Sequence, residues 1–170
     1  GLLANAFEME GRAYGVQTLF KTQPTQACVS LATEPLIQFP KSALALLFQW
    51  QGSKEPLLVI NLHGINFAIG TQDLELQLLP LLVMIRQHQG PVIIAGDMNT
   101  WSDERRAMLD ASLQLHGLTA INFKPDHRLQ VFGQTLDHIF VRGVRVESAV
   151  SSADSGSDHQ PMIVSFSAEV

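Results

Sequence analysis

The segment 92–97 constrains the fold of this chain most, because the apolar run VIIAG ends there in an aspartate. A strand without polar alternation is typical of one that is covered on both faces. Helix-like segments flank it, one at 71–89 and one that begins after Ser102. The pattern therefore predicts a central strand packed between layers, with helices outside a sheet.

The two predicted helices have recognisable ends. Thr71 is a plausible N-cap of the first helix, and Gly90-Pro91 ends it. Pro80 lies inside this helix, so we expect a kink or a later start. Ser102 caps the second helix, and Gly117 follows its end.

Five further segments have the apolar and β-branched residues of strands. Strands thus outnumber helices, and short turns join some of them while others flank helices. This favours a mixed sheet or two packed sheets with helices outside, and a purely parallel doubly wound fold fits less well. We therefore expect an α/β (α+β) fold in one domain over residues 1–170. The five segments are 43–50, 57–66, 136–142, 144–150 and 161–168.

The charge balance bears on the partners of this chain. Hydrophobic residues make up 46% and charged residues 16%, as in compact globular proteins. The net charge is −5, whereas a dedicated duplex-DNA binder usually presents a basic surface. Nucleic acid is therefore a disfavoured partner, although the net charge does not reveal a local basic patch.

The chain has one cysteine and no long apolar run. Cys28 cannot form an intramolecular disulfide, which fits a reducing compartment, and we expect it to be a small buried residue. No stretch approaches the roughly 20 apolar residues that a membrane span needs. We expect a cytoplasmic protein without a membrane span.

Polar residues interrupt or end the apolar strands in four places. Asn61 and His63 are two residues apart and therefore point to one side of their strand. Asp97 and Asn99 have the same spacing, and such a pair can hold a metal's water shell and orient an attacking water. A hydrogen-bonded pair on a sheet face and simple turn chemistry are the structural alternatives.

The other two places lie nearer the C-terminus. Asp137 and His138 lie within an apolar strand, where a buried carboxylate needs a partner such as a histidine or an arginine. Asp158 and His159 stand side by side before the last strand and can bind a metal and manage protons together. The alternatives are a structural ion pair at the first place and a solvated loop end at the second.

The four segments NLH, GDMN, LDHI and SDH occur in an order that resembles the endonuclease/exonuclease/phosphatase (DNase I-like) superfamily. GDMNTW and LDHIFVRG look especially like a bacterial branch of uncharacterised members. The resemblance runs from about Tyr14 to the C-terminus. It implies a layered sandwich of two packed mixed sheets flanked by helices. It also implies in-line attack of water on phosphorus, assisted by Mg²⁺ or Mn²⁺.

The resemblance implies a role for each matching residue. Asp97 matches the aspartate that orients the attacking water, and Asp137 matches the carboxylate that orients the second histidine, His159. His138 falls outside this set, and we expect a satisfied core histidine there. By position, the implied catalytic residues are His63, Asp97, Asn99, Asp137 and His159, the metal ligand is Asp158, and the substrate-binding residues are Asn61, His63, Asn99 and His159.

Two earlier motifs of this superfamily have no match here. They are an asparagine on the first strand and a glutamate at the end of the next, which is the principal metal ligand. Residues 1–13 lack the apolar run that should precede such motifs, and 14–24 looks like the family's following strand. The resemblance therefore implies a chain without the first two strands and with a weakened metal site.

Two functions follow as hypotheses. The first is a divalent-metal-dependent phosphoesterase that hydrolyses a phosphodiester or a phosphomonoester. The second is a catalytically impaired phosphate-binding or scaffold module of the same fold. The substrate class stays open, because one such site serves nucleic acids, lipid headgroups and sugar phosphates.

Overall fold

The computed structural model describes residues 1–51, 53–154 and 156–169. The elements in chain order are β1 (Leu2–Met9), β2 (Arg12–Thr18), β3 (Gln26–Thr33), β4 (Pro40–Phe48), β5 (Leu57–Leu62), α1 (Gln72–Gln87), β6 (Val92–Asp97), α2 (Asp103–Gln114), β7 (Thr119–Ala120), β8 (Gln130–Val131), β9 (Gln134–Thr135), β10 (Asp137–Arg142), β11 (Val144–Ser151) and β12 (Met162–Ala168).

A six-stranded mixed sheet forms the centre of the protein. Its strand order is β3-β4-β5-β6-β10-β7. The strands β5 and β6 run parallel, while β4 and β10 pair antiparallel with them on either side. α1 makes the crossover between the two parallel strands, as a parallel connection requires. The predicted mixed sheet is confirmed.

The helices cover one face of this sheet. Leu74, Leu78 and Ile85 of α1 are fully buried in one cluster with Ile60 of β5 and Ile94 of β6. Burial of one such side chain stabilises the fold by roughly 1.5–3 kcal/mol. This cluster is therefore the main attachment of α1 to the sheet.

Two antiparallel hairpins cover the opposite face. The β1–β2 hairpin packs Val16 against Leu44, and the β11–β12 hairpin packs Phe166 in a cluster with Ile93. β6 is thus covered on both faces, which explains its continuous apolar sequence. The expected layered α+β architecture is confirmed. In the described part of the chain its second layer consists of two separate hairpins instead of one mixed sheet.

Both helices begin close to the predicted residues. α1 begins at Gln72 and continues through Pro80, so the later start that Pro80 suggested is wrong. Pro80 is exposed, and water can therefore solvate the carbonyl that its missing N–H leaves unbonded. Ser102 caps α2 as predicted, because its side chain accepts a hydrogen bond from the Arg105 N–H. In the described residues, neither helix combines the length and the apolar character of a membrane span.

The sequence predicts no strands at 2–9 or 26–33, yet β1 and β3 occupy these segments. Both strands expose most of their side chains, so they lack the clear apolar alternation of a half-buried strand. β3 is an edge strand of the central sheet, and Cys28 on it is exposed. The expectation of a buried cysteine is therefore wrong.

One prediction concerns the packing of α1. Leu78 is fully buried, whereas Leu79, the next residue, is 53% exposed. We expect Leu78→Ala to lower the free energy of unfolding by about 2–5 kcal/mol, because it leaves a cavity in the core. Leu79→Ala should change it by less than about 1 kcal/mol. Urea unfolding followed by circular dichroism measures both, and equal losses would contradict this packing.

Candidate functional site

The predicted site residues gather at one edge of the central sheet. His63 directly follows the last residue of β5, and Asp97 is the last residue of the parallel strand β6. Asp137 begins β10 and is paired in register with Asp97 across the antiparallel ladder. The carboxyl ends of parallel strands meet at one edge, and the β10 register adds a second carboxylate there.

The first pair at this edge is His63 with Asp97. His63 Nε2 lies 3.6 Å from Asp97 Oδ2, and the two side chains are 40% and 19% exposed. Lys41 Nζ lies 2.9 Å from the same ring nitrogen. An ammonium group can only donate, so Nε2 accepts this bond and the ring proton resides on Nδ1.

Burial and charge set the protonation of His63 and Asp97. Burial and then the Lys41 ammonium lower the pKa of His63, outweighing the opposite effect of Asp97. Burial raises the pKa of Asp97, although the Asn99 N–H and His63 act in the other direction. His63 is therefore a neutral imidazole at neutral pH, beside a carboxylate of increased basicity.

Asn99 holds both members of this pair in place. Its backbone N–H donates to Asp97 Oδ1 at 2.9 Å, and its side-chain Nδ2 donates to the Gly64 carbonyl at 2.9 Å. Asn99 is buried and has a φ of 49°, a left-handed conformation that asparagine tolerates better than most residues. One residue thus joins the end of β6 to the residue after His63.

Two glycines allow the ends of β5 and β6 to approach each other. A Cβ on Gly96, which has a φ of 142°, would lie 1.9 Å from the Leu62 carbonyl oxygen. A Cβ on Gly64 would lie 2.8 Å from the Met98 carbonyl oxygen. Any other residue at Gly96 would push His63 and Asp97 apart.

The second pair is Asp137 with His159. His159 Nδ1 lies 2.7 Å from Asp137 Oδ2, and the side chains are 31% and 9% exposed. Burial alone lowers the pKa of His159, but the hydrogen bond and charge of Asp137 outweigh it, and the pKa is raised. Asp97 and Asp158 contribute in the same direction. His159 therefore carries a proton at higher pH than a free histidine.

Asp158, the expected metal ligand, is exposed in the loop before β12. Its Oδ1 accepts a hydrogen bond from Ser157 Oγ at 3.0 Å, and this bond and the neighbouring charges lower the pKa of Asp158. Within residues 1–51, 53–154 and 156–169, no three histidine, cysteine or acidic side chains cluster as a metal site. The described residues alone therefore do not fit a complete metal site.

Asn61 and His138 are engaged in structural contacts. Asn61 Nδ2 donates to the Gln17 carbonyl at 3.0 Å, which ties the β1–β2 hairpin to β5. Its predicted contact with substrate stays a prediction. His138 is buried between Thr100 and Arg106, and burial, followed by the arginine charges, lowers its pKa to about 3. The expected satisfied core histidine is thus found.

The sequence did not indicate Lys41 or Glu34, which belong to the same site. Glu34 directly follows β3 and Lys41 is the second residue of β4, and Lys41 Nζ is 3.7 Å from Glu34 Oε1. Glu34 is fully buried, and its two oxygens accept the N–H groups of Asn66 and Phe67, each at 2.8 Å. In the sequence, Glu34 and Lys41 are charged residues next to Pro35 and Pro40. Only their contacts with residues distant in the sequence show what they do.

The site loop, residues 64–70, is held by two further buried side chains. Arg105 is fully buried and donates to the carbonyls of Ile65, Gly70 and Asn99. Gln77 accepts the Ile65 N–H at 2.8 Å and donates to the His63 carbonyl at 2.9 Å. These bonds satisfy backbone groups that an irregular buried loop would leave unpaired, and they fix the position of His63.

A mixed sheet that carries two histidine–aspartate pairs at one edge is an arrangement suited to hydrolytic chemistry at a phosphate. In agreement, residues 3–159 match the Endonuclease/Exonuclease/phosphatase family, and this chain belongs to it. It is 42% identical over 167 residues to a UPF0294 protein of Vibrio cholerae. It is 39% identical over 161 residues to a UPF0294 protein of Yersinia pseudotuberculosis. These matches cover 98% and 95% of this chain but only 59% and 62% of the relatives.

Two solved structures share the fold. The catalytic domain of human Nocturnin with a bound sulfate anion has a TM-score of 0.63 at 19% identity, covering 86% of this chain and 60% of that one. The mannosyl-6-phosphatase Bt3783 of Bacteroides thetaiotaomicron has a TM-score of 0.59 at 17% identity, covering 85% and 67%. At such identities the likeness supports the architecture alone.

One prediction concerns the pKa of His159. Asp137→Asn removes the charge that outweighs burial, so we expect the pKa of His159 to fall below its value in the unaltered chain. Because the pair raises this pKa on folding, it stabilises the protein fully below the ordinary histidine pKa of about 6.5. That contribution is lost as the pH rises through the folded-state value. Histidine-selective NMR titration measures the pKa, and an unchanged value would refute the pairing.

Proposed function

We propose that this chain carries the hydrolytic site of a phosphoester hydrolase, in which water attacks phosphorus in line. The observation that supports this most is the pairing of Asp97 with Asp137 in register, each beside a histidine. Two acid–imidazole pairs at one edge can act on one bound phosphate.

Asp97 is the group that takes the proton of the attacking water. Its raised pKa makes it a better base than a solvated aspartate. The Asn99 N–H holds Oδ1, and Oδ2 is the oxygen that faces His63. The carboxylate thus has a fixed orientation before a substrate arrives, as general-base catalysis requires.

His159 and Lys41 supply positive charge to the phosphate oxygens. The bond from His159 Nδ1 to Asp137 fixes the orientation of the imidazole and favours its protonated form. The position of the Lys41 side chain is set by Glu34 and His63. Cations placed where negative charge develops lower the energy of the transition state.

A divalent metal, Mg²⁺ or Mn²⁺, is part of the proposal as a property of the family. Asp158 is the carboxylate of this chain that the resemblance assigns to it. The described residues do not complete such a site. A chain that binds phosphoesters without turnover would instead be the phosphate-binding module proposed as the alternative.

The substrate is a phosphodiester or a phosphomonoester. One structural neighbour is named a mannosyl-6-phosphatase, and another, zebrafish TDP2, is described with a single-strand DNA product. The net charge of −5 favours a small phosphoester over a long nucleic acid. Nucleic acid therefore remains the less favoured partner.

Hydrolysis of bis(p-nitrophenyl) phosphate and p-nitrophenyl phosphate, with Mg²⁺ or Mn²⁺, tests this function. We expect weak turnover, because the described residues do not complete a metal site, and Asp97→Asn should lower it by about 10²–10⁴-fold, the usual contribution of a general base. Loss of turnover on chelation would show that a metal ion takes part. Glu104→Gln, a change at an exposed carboxylate on α2, is the matched control. Equal rates in both variants would exclude Asp97 as the base, and binding without turnover would support the non-catalytic alternative.

A further prediction separates Lys41 from the rest of the site. Lys41→Met should lower kcat/KM by roughly 10–100-fold, the effect of losing one charged hydrogen bond. The same change should raise the pKa of His63, because the ammonium lowers it in the unaltered chain. Lys41→Arg should restore part of the activity. If Lys41→Met raises the pKa of His63 as expected but leaves kcat/KM unchanged, Lys41 does not contact the substrate.

A further inference from the structure

We propose that the aromatic cleft beside His63 binds the organic group of the substrate, and that this group carries a planar aromatic ring. The aromatic cleft is lined by Phe7, Tyr14, Ile37, Phe39 and Phe67 and has a volume of about 520 Å³. The inference rests on the proposed function, whose site it deepens. It assigns a substrate class to a surface that adjoins the first histidine–aspartate pair at His63.

Three rings of the aromatic cleft form a stack. Phe7 and Tyr14 are partners in the β1–β2 register, and their rings lie 4.8 Å apart with an angle of 3° between planes. Phe39, from the segment before β4, stacks on Phe7 at 5.2 Å and 18°. Rings from two separate parts of the chain therefore present one ordered aromatic wall, in the geometry that flat rings prefer.

The wall is exposed to solvent. Tyr14, Phe39 and Phe67 are 37%, 46% and 49% exposed, and Ile37 is 42% exposed. Isolated apolar side chains on a surface need no explanation, but a contiguous concave group of them marks a binding site. This group is concave and contains four aromatic residues.

The aromatic cleft opens directly onto the phosphate-binding groups. His63 and Lys41 line the same cavity, and Lys41 is only two residues from Phe39. Glu34 accepts a hydrogen bond from the Phe67 N–H and lies near Lys41 Nζ. One buried carboxylate therefore positions both the backbone at Phe67 and the Lys41 side chain. A phosphate held at Lys41 and His63 would therefore place its attached group against the aromatic rings.

The lining favours an aromatic ring over a sugar. The hydroxyl of Ser42 already donates to the Ala4 carbonyl and accepts the Val16 N–H. Apart from Tyr14, the remaining polar side chains of the lining are the two phosphate-binding groups, Lys41 and His63. A sugar would lose its hydrogen bonds to water without replacing them, whereas a flat ring gains stacking.

Binding of three phosphonates, measured by NMR titration in the presence of a chelator, tests the inference without requiring turnover. Phenylphosphonate should bind about tenfold more tightly than methylphosphonate, an effect of the size expected for stacking on one aromatic ring. Hexylphosphonate is the arm for an acyl chain, as in a lipid. If it binds as tightly as phenylphosphonate, or if neither compound exceeds methylphosphonate, the aromatic assignment is overturned.

Variants locate the effect. Phe39→Ala and Tyr14→Ala should each remove most of the preference for phenylphosphonate and leave the affinity for methylphosphonate unchanged. Phe132→Ala, at a ring that is 88% exposed in the β8–β9 turn, is the matched control and should retain the preference. Lys41→Met should weaken the binding of phenylphosphonate and of methylphosphonate equally. A preference that survives both cleft variants, with thermal unfolding unchanged, overturns the inference.

A comparison of two further ligands distinguishes two sources of the aromatic ring. Adenosine 5′-monophosphate binding more tightly than ribose 5-phosphate would identify a nucleobase as the ring, and equal binding would identify a smaller aryl group attached directly to the phosphate. Hydrolysis of a phosphoester without a ring, combined with no phenylphosphonate preference, would leave the proposed function standing and remove this inference alone.

Discussion

The pairing of β6 with its two neighbours is the constraint on which the site depends. β6 runs parallel to β5 and antiparallel to β10, so the end of β6 meets the end of one strand and the beginning of the other. Apolar layers on both faces of β6 prevent a shift of register, because a shift by one residue would turn Ile94 out of its layer. Burial of the strand interior therefore keeps the polar residues at the strand ends at fixed distances from one another. The close approach at Gly96 depends on the same packing.

Buried charge supports this edge from behind. Glu34 and Arg105 are fully buried, and each binds backbone groups of the site loop. Burial of a charge is costly unless hydrogen bonds satisfy it, and replacing such a network by apolar residues is often neutral for stability. Their presence is better explained by position than by stability, because an irregular loop of seven residues has no ladder of its own. The site loop then keeps His63 and Phe67 in fixed positions relative to each other.

The sequence was informative where local pattern decides the structure. The apolar run predicted β6 and the Ser102 cap predicted α2, since both signals are local. The expectation that Asp97 and Asn99 face one site rested on period-two spacing, whereas β6 ends at Asp97 and the Asn99 backbone N–H makes the contact with the carboxylate. It was silent on β3, whose exposed edge position leaves little apolar pattern. Lys41 and Glu34 were missed for another reason. Their roles come from contacts with residues more than twenty positions away, and no spacing in a single sequence encodes such contacts.

The two histidines show how one residue type acquires two roles at a single edge. Each lies beside an aspartate, yet the pKa of His63 is lowered and that of His159 is raised. The difference comes from burial and the Lys41 ammonium, which act against the proton on His63, and from the short bond to Asp137, which favours the proton on His159. Titratable groups driven apart in this way mark the division between acid and base in a site. In the proposed function this difference assigns positive charge to His159 and leaves Asp97, beside the neutral His63, as the base.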